Sequence, residues 1–323
     1  MPVVRRGAGF LTKIFPMAGR GVFLRLREGL EGFTFRIMKK IGVIVNTKRK
    51  GAGNVLEELR VSAAKLGFKL FAEREDMAEA LGAQFLPLSD FRDTVDVTLA
   101  MGGDGTVLYT ALALHGSEVP IMGINLGSLG FLTSVSDAQV FEALESIKNG
   151  SCKVSERDVA ECRVFQSGEL IGEQRSLNDI VLGWGASSRI NTFNLSIDGE
   201  SVSSFMCDGM IVSTPTGSTA HSLSAGGPIL HPGVGAFGIN VICPHTLSSR
   251  PLVVPNTSVI EIDVVKAVKE LILSIDGQDE FLMEQGGRIE IRRSAYGVKF
   301  LQLEKHSYFS VVAQKLHWRG SNL

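Results

Sequence analysis

Between Met38 and Lys148 the sequence alternates apolar runs with amphipathic stretches, and this constrains the fold more than any other feature. Met38-Lys39-Lys40-Ile41-Gly42-Val43-Ile44-Val45-Asn46 reads as a buried strand. Gly53–Leu66 then places Val55, Leu56, Leu59 and Ala63 on one helical face. A strand over Phe68–Ala72, a helix over Asp76–Leu81 and a strand over Val95–Met101 follow. Next come a helix over Val107–His115, a strand over Pro120–Ile124 and a helix over Asp137–Lys148. Consecutive parallel strands need a crossover, and helices at these intervals supply it, so a parallel sheet with covering helices is predicted.

From Cys152 to about Phe300 the period changes to short alternating runs: Asn191–Ile197, Ser201–Met206, Val259–Val265, Lys269–Ile275 and Arg288–Arg293. Leu-Ser-Ile-Asp-Gly occurs at 195–199 and again at 273–277, which predicts two hairpins closed by Asp-Gly turns. The expected fold class is therefore an α/β N-terminal domain with a Rossmann-like parallel sheet, 38–150, and a β-rich, mostly antiparallel domain, 151–305. Residues 306–323 are expected to pack back on the N-terminal domain; Tyr308–Trp318 suits either a short helix or a strand.

A chain of 323 residues buries a core without disulfides or metals. Its four cysteines (Cys152, Cys162, Cys207, Cys243) are far apart and form no metal-ligand spacing, so free thiols in the reducing cytoplasm are expected. No apolar run reaches the roughly 18 residues of a membrane span, and no secretory h-region opens the chain. The formal net charge of −1 argues against a nucleic-acid binder. It conceals a split: residues 1–37 carry seven basic and two acidic side chains, so the remainder is acidic. The basic leader 1–37 is read as an extension outside the catalytic unit, disordered or not translated.

Two segments carry chemistry. Gly102-Gly103-Asp104-Gly105-Thr106 joins a strand to a helix, where ligands collect in open α/β sheets. Glycines there let backbone amides face a phosphate, helped by the helix N-terminus. An aspartate in an anion-binding loop would repel its ligand, unless the carboxylate accepts a proton or works beside a metal. The second segment runs from Asp208 through Thr214-Pro215-Thr216-Gly217-Ser218-Thr219-Ala220-His221-Ser222-Leu223-Ser224 to Pro228. Small hydroxyl residues and glycines leave room for a polar ligand against the backbone. No G-x-x-x-x-G-K-[ST] and no G-x-G-x-x-G after the first strand occur, which excludes a P-loop and disfavours a standard Rossmann dehydrogenase.

Taken together these segments resemble the NAD kinases. The resemblance adds Ile124-Asn125-x-Gly127-x-Leu129-Gly130-Phe131-Leu132, Asn178-Asp179, Cys243-Pro244-His245-Thr246-Leu247-x-x-Arg250-Pro251 and Asp276-Gly277-Gln278, and it spans about Met38 to Gln278. It implies transfer of the γ-phosphoryl group of ATP, with Mg²⁺, to the 2′-hydroxyl of the adenosine ribose of NAD, giving NADP. By position Asp104 would accept the hydroxyl proton. Gly102, Gly103, Gly105 and Thr106 would face the donor phosphates, with Gly105 also against the nucleotide. Phe131 would press on the adenine, and Asn178 and Asp179 would hold ribose hydroxyls. Thr219, Ala220, His221, Ser222, Leu223 and Ser224 would line the nucleotide. Arg189, Met206 and Gln278 would add NAD contacts, and Asp208 would lie near the nicotinamide end or a neighbouring subunit's ligand. A homodimer or homotetramer is implied.

Two positions depart from the family pattern: Asp179 stands where Glu is usual, and His221 where Tyr is usual. A lipid or sphingoid-type kinase would share the Gly-Gly-Asp-Gly loop but lack the Thr-Pro-Thr-Gly-Ser-Thr-Ala and Cys-Pro-His-Thr-Leu segments. A non-catalytic dinucleotide sensor would be expected to have lost the acid that Asp104 retains.

Overall fold

The computed structural model describes residues 38–49, 51–127, 129–183, 190–267 and 270–318. The basic leader and Arg189 lie outside them.

The first sheet has parallel strands β1 (Lys40–Val45), β2 (Lys69–Ala72), β3 (Gln84–Phe85), β4 (Val97–Gly102), β5 (Ile121–Asn125) and β6 (Val135–Ser136). Its order runs β3-β2-β1-β4-β5, with β6 also paired to β5. Between the strands run α1 (Ala52–Leu66), α2 (Glu75–Leu81), α3 (Phe91–Thr94) and α4 (Asp104–Ala113); α5 (Val140–Asn149) follows β6. The central strands are continuously apolar because both faces are covered. On one face Val43, Leu99, Met101 and Ile124 pack with Leu59 of α1 and Leu144 of α5. On the other, Ile44, Ala100 and Ile121 pack with Val107 and Ala111 of α4.

After α5 come β7 (Lys153–Arg157), β8 (Ala160–Gln166), β9 (Glu169–Ser176), β10 (Asp179–Gly183), β11 (Asn191–Ile197), β12 (Glu200–Cys207) and β13 (Gly209–Ser213). Then follow α6 (His221–Ser224), β14 (Ala236–Ile242), β15 (Leu252–Pro255), β16 (Ile260–Lys266), β17 (Leu271–Ile275), β18 (Asp279–Met283), β19 (Arg288–Arg293), β20 (Val298–Gln302) and α7 (Tyr308–Lys315). Strands β8 to β19 form two antiparallel sheets, β15-β14-β13-β10-β17-β18 and β12-β11-β16-β19-β8-β9. Alternation sorts their side chains: Ile260, Ile262, Val264, Ile289 and Ile291 of one sheet meet Leu182, Val212, Phe237 and Leu273 of the other in a shared core. Asp198-Gly199 and Asp276-Gly277 both adopt positive φ (53° and 80°, 52° and 65°) at the two hairpin tips.

α4, β7 and β20 differ from the sequence reading, and the C-terminal stretch takes one of its two expected forms. α4 begins at Asp104 rather than Val107, so the acid is the first helical residue. β20 runs parallel to β5, and β7 antiparallel to β20, so residues 153–157 and 298–302 extend the first sheet. The C-terminal stretch is a helix, its N-terminus capped by Ser307 Oγ, which accepts from the Ser310 amide at 3.3 Å.

Candidate active site

At the carboxyl edge of the first sheet β4 ends in Gly102, where a Cβ would lie 2.2 Å from Thr106 Oγ1. Only glycine fits this approach of strand to helix. Asp104 then opens α4, where the helix N-terminus favours a negative charge. Its carboxylate is held from the side: Oδ2 accepts from the Phe131 amide and Oδ1 from the Leu132 amide, both at 2.9 Å. Gly130 closes the contact, since a Cβ there would lie 2.0 Å from Asp104 Oδ1. The Gly130-Phe131-Leu132 turn and the Gly-Gly-Asp-Gly turn are therefore one unit centred on Asp104.

Beside this unit is a cleft of about 350 Å³ lined by Asn46, Lys48 and Arg49 beyond β1, Glu73 and Arg74 beyond β2, and Gly103, Gly105, Thr106 and Tyr109. Arg49 Nη2 lies 3.1 Å from where a Gly103 Cβ would be. Burial raises the Glu73 carboxyl above its ordinary range, with Arg74 and the Tyr109 hydroxyl opposing. Burial and the Glu73 charge together raise the Tyr109 phenol. Sequence reasoning missed Lys48, Arg49 and Arg74. The available signal was a basic run directly after the first strand; Arg74 joins it only because β1 and β2 are neighbours.

The second half of the site is built on Asp276, in the tight turn between β17 and β18. Its buried carboxylate accepts from Ser176 Oγ at 2.6 Å and from the amides of Leu177, Asn178 and Asp179 at 2.8, 2.8 and 3.0 Å. Burial raises this carboxyl above its ordinary value, and the four donors pull the other way. The arrangement fixes the main chain that presents Asn178 and Asp179. Leu177 shares a core cluster with Val107 of α4 and Leu132, which brings this segment to the Asp104 unit.

Asp179 is buried at 2% exposure, and burial raises its carboxyl while His221 opposes the shift. The His221 amide reaches Asp179 Oδ2 at 3.2 Å, and His221 Nδ1 lies 3.1 Å from Oδ1. The hydroxyl-rich segment divides in two. Thr214, Thr216, Ser218 and Ser222 are buried, with Thr214 Oγ1 donating to the Leu177 carbonyl and Ser218 Oγ to the Pro215 carbonyl. Gly217 lies against Asn178, whose carbonyl oxygen would be 2.0 Å from a Gly217 Cβ. Thr219, Ala220, His221, Leu223 and Ser224 are the members that reach solvent. Ser222 Oγ, expected to line the nucleotide, is buried and has no hydrogen-bond partner among the described residues.

Phe131 presents its ring to Lys315 of α7, whose Nζ lies 5.6 Å from the ring centroid. Gln278 is exposed, two residues past Asp276. Met206, near the end of β12, and Asp208, just before the start of β13, are both exposed. That end lies roughly 17 Å along the strand from Thr214, at about 3.4 Å per residue. A single chain therefore does not bring them to the Asp179–His221 pair. Among the described residues no cluster of three or more His, Cys, Asp or Glu forms a metal cage. No described helix is long and apolar enough to cross a membrane.

This architecture is shared with known proteins. The ATP-NAD kinase N-terminal domain matches residues 41–152 and the ATP-NAD kinase C-terminal domain matches residues 177–303. The NAD kinase of Koribacter versatilis is 36% identical over 282 residues, 87% of this chain and 99% of that relative. The NAD kinase of Azoarcus sp. is 42% identical over 223 residues, 69% of this chain and 76% of that relative. Among solved structures, yeast NADH kinase complexed with NADH superposes with a TM-score of 0.81 at 24% identity, covering 89% of this chain and 90% of that one. An NAD kinase from Archaeoglobus fulgidus in complex with ATP gives 0.66 at 26% identity, covering 87% and 100%.

Proposed function

The chain belongs to the ATP-NAD kinase family, and on that premise we propose how its residues transfer the γ-phosphoryl group of ATP to the 2′-hydroxyl of the adenosine ribose of NAD. The observation that carries this is the clamped carboxylate of Asp104 at the sheet edge. Each of its oxygens keeps a lone pair beyond the amide it accepts. Asp104 takes the 2′-hydroxyl proton as the oxygen attacks the γ-phosphorus; the bond to the β-phosphate oxygen breaks and ADP leaves. A ribose hydroxyl is a poor nucleophile at neutral pH, so a positioned base lowers the barrier.

The amides of Gly103 and Gly105 and the Thr106 hydroxyl face the donor phosphates, with Lys48, Arg49 and Arg74 supplying positive charge. This replaces a P-loop lysine with basic residues from two strand ends, in a reaction that needs mainly positioning and charge neutralisation. A divalent cation such as Mg²⁺ would neutralise phosphate charge when bound with the triphosphate, which fits a cleft lined by amides, cations and one carboxylate, Glu73. Asn178, Thr219, Ala220, His221, Leu223, Ser224 and Phe131 hold the NAD, with Phe131 against the adenine, and Arg189 and Gln278 are further NAD contacts that the family pattern implies. Met206 and Asp208 suit a contact with the ligand of a neighbouring copy in a homo-oligomer. Residues 38–150 together with strands 153–157 and 298–302, and the two antiparallel sheets within 151–305, are read as the two domains flanking the NAD, with 1–37 dispensable for the reaction and the cytoplasm as the setting. Purified protein given ATP, Mg²⁺ and NAD, read out with an NADP-specific dehydrogenase, tests the reading. NADP formation that follows enzyme concentration is expected; none above background refutes it.

A further inference from the structure

The Asp179 side chain is 2% exposed and the His221 side chain 58% exposed. Both carboxylate oxygens of Asp179 face His221: Oδ2 accepts from its amide at 3.2 Å, and Nδ1 lies 3.1 and 3.3 Å from Oδ1 and Oδ2. A group so enclosed has no free surface for a ribose hydroxyl. An imidazole with Nδ1 against a carboxylate donates its proton there, which leaves the opposite nitrogen, Nε2, of this exposed ring outside the pair. The carboxylate is itself fixed, because Asp276 holds the main chain of residues 177–179 through three amides.

We propose that Asp179 is a positioning residue that acts through His221, and that His221 Nε2, not the Asp179 carboxylate, is the atom presented to the hydroxyls of the acceptor nucleotide. The shorter carboxylate and the imidazole are then one unit. Asp179 sets the ring and its tautomer, and the ring reaches the ligand. This rests on the placement of NAD at Asn178 and His221 proposed above.

A double-mutant cycle tests it, with KM for NAD, KM for ATP and kcat measured on enzyme shown to be folded by circular dichroism. Asp179→Asn and His221→Ala are each expected to raise KM for NAD about tenfold, the scale of one hydrogen bond, with KM for ATP unchanged. The double variant is expected to match His221→Ala alone, because Asp179 has nothing left to position. Multiplying effects in the double variant would show that Asp179 touches the nucleotide itself and would overturn the proposal. An unchanged KM for NAD in folded Asp179→Asn would overturn it too. His221→Asn keeps a donor for Asp179 but removes Nε2, and leaves the buried residue intact should Asp179→Asn not fold. It is expected to behave as His221→Ala, and wild-type KM for NAD would refute the role of Nε2. Asn178→Ala separates the two layers. If it raises KM for NAD while the His221 variants do not, the NAD placement stands and the proposal fails. If none of them changes KM for NAD, the placement fails and the proposal with it.

Discussion

Gly130→Ala offers a sharp perturbation because it adds one methyl group at a known place. The backbone at Gly130 is outside the left-handed region, so an alanine is not strained by its own φ. The cost comes from Asp104: the new Cβ would lie 2.0 Å from Oδ1, 2.7 Å from Cγ and 3.0 Å from Oδ2. Carbon and oxygen atoms rest near 3.5 Å, so one side must give way by roughly an ångström or more. If the carboxylate moves, it loses the Phe131 and Leu132 amides that it now accepts at 2.9 Å. Hydrogen bonds to a charged group are worth about 1.5–3 kcal/mol each, so losing both costs about 3–6 kcal/mol locally. If the loop moves instead, the carboxylate is carried with it. A displacement of that size in a reacting group lowers kcat on the order of 100-fold. The assay is steady-state NADP formation, with thermal unfolding followed in parallel. Gly53→Ala is the control, since a Cβ there meets open space within α1; it should leave kcat unchanged and stabilise the helix by about 0.5–1 kcal/mol. Wild-type kcat in a folded Gly130→Ala enzyme would refute the reasoning.

Replacing Arg49 with alanine should raise KM for ATP while leaving KM for NAD close to wild type; steady-state kinetics that show the reverse would move the donor phosphates elsewhere. Asp276→Ala leaves one hydroxyl and three amides without their acceptor. At about 1–3 kcal/mol for each unsatisfied buried group, a loss of several kcal/mol in urea unfolding is expected, and a loss below about 1 kcal/mol would contradict the account. Burial pushes the thiols of Cys152 to about 11, and of Cys162 and Cys207 to about 12. They stay protonated and enclosed at neutral pH, so native protein treated with maleimide should label at exposed Cys243 alone by mass spectrometry, and at all four cysteines after unfolding; two or more labels on folded protein would contradict this.

The parts of the fold legible in the sequence were those whose signal is local. Arg288–Arg293 shows its alternation within six residues, and the two Asp-Gly turns carry their own positive-φ chemistry. The helical pattern of α4 shows only from Val107, three residues late, because Gly105 is a poor helix former and obscures the first turn that Asp104 opens. β7 and β20 escaped because Lys-Val-Ser-Glu-Arg has no strong alternation, and because β20 pairs with a strand more than 170 residues earlier. The same limit applies to the site. Asp104 and the Thr214–Ser224 segment stand out as contiguous motifs. The basic cleft does not, since Arg49 and Arg74 meet only through the pairing of β1 with β2. Nor could spacing show that Asp179, expected to hold ribose hydroxyls, is enclosed by His221 forty-two residues later.

Asp104→Asn tests the central claim most directly, with kcat from NADP formation set beside NAD affinity from calorimetry. The substitution keeps the shape of the side chain and removes its ability to take a proton. A base is worth roughly 10²–10⁴-fold in rate, so kcat should fall by that order while NAD affinity changes far less. Equal loss of turnover and affinity, or turnover that survives the substitution, would contradict a proton-accepting role for Asp104.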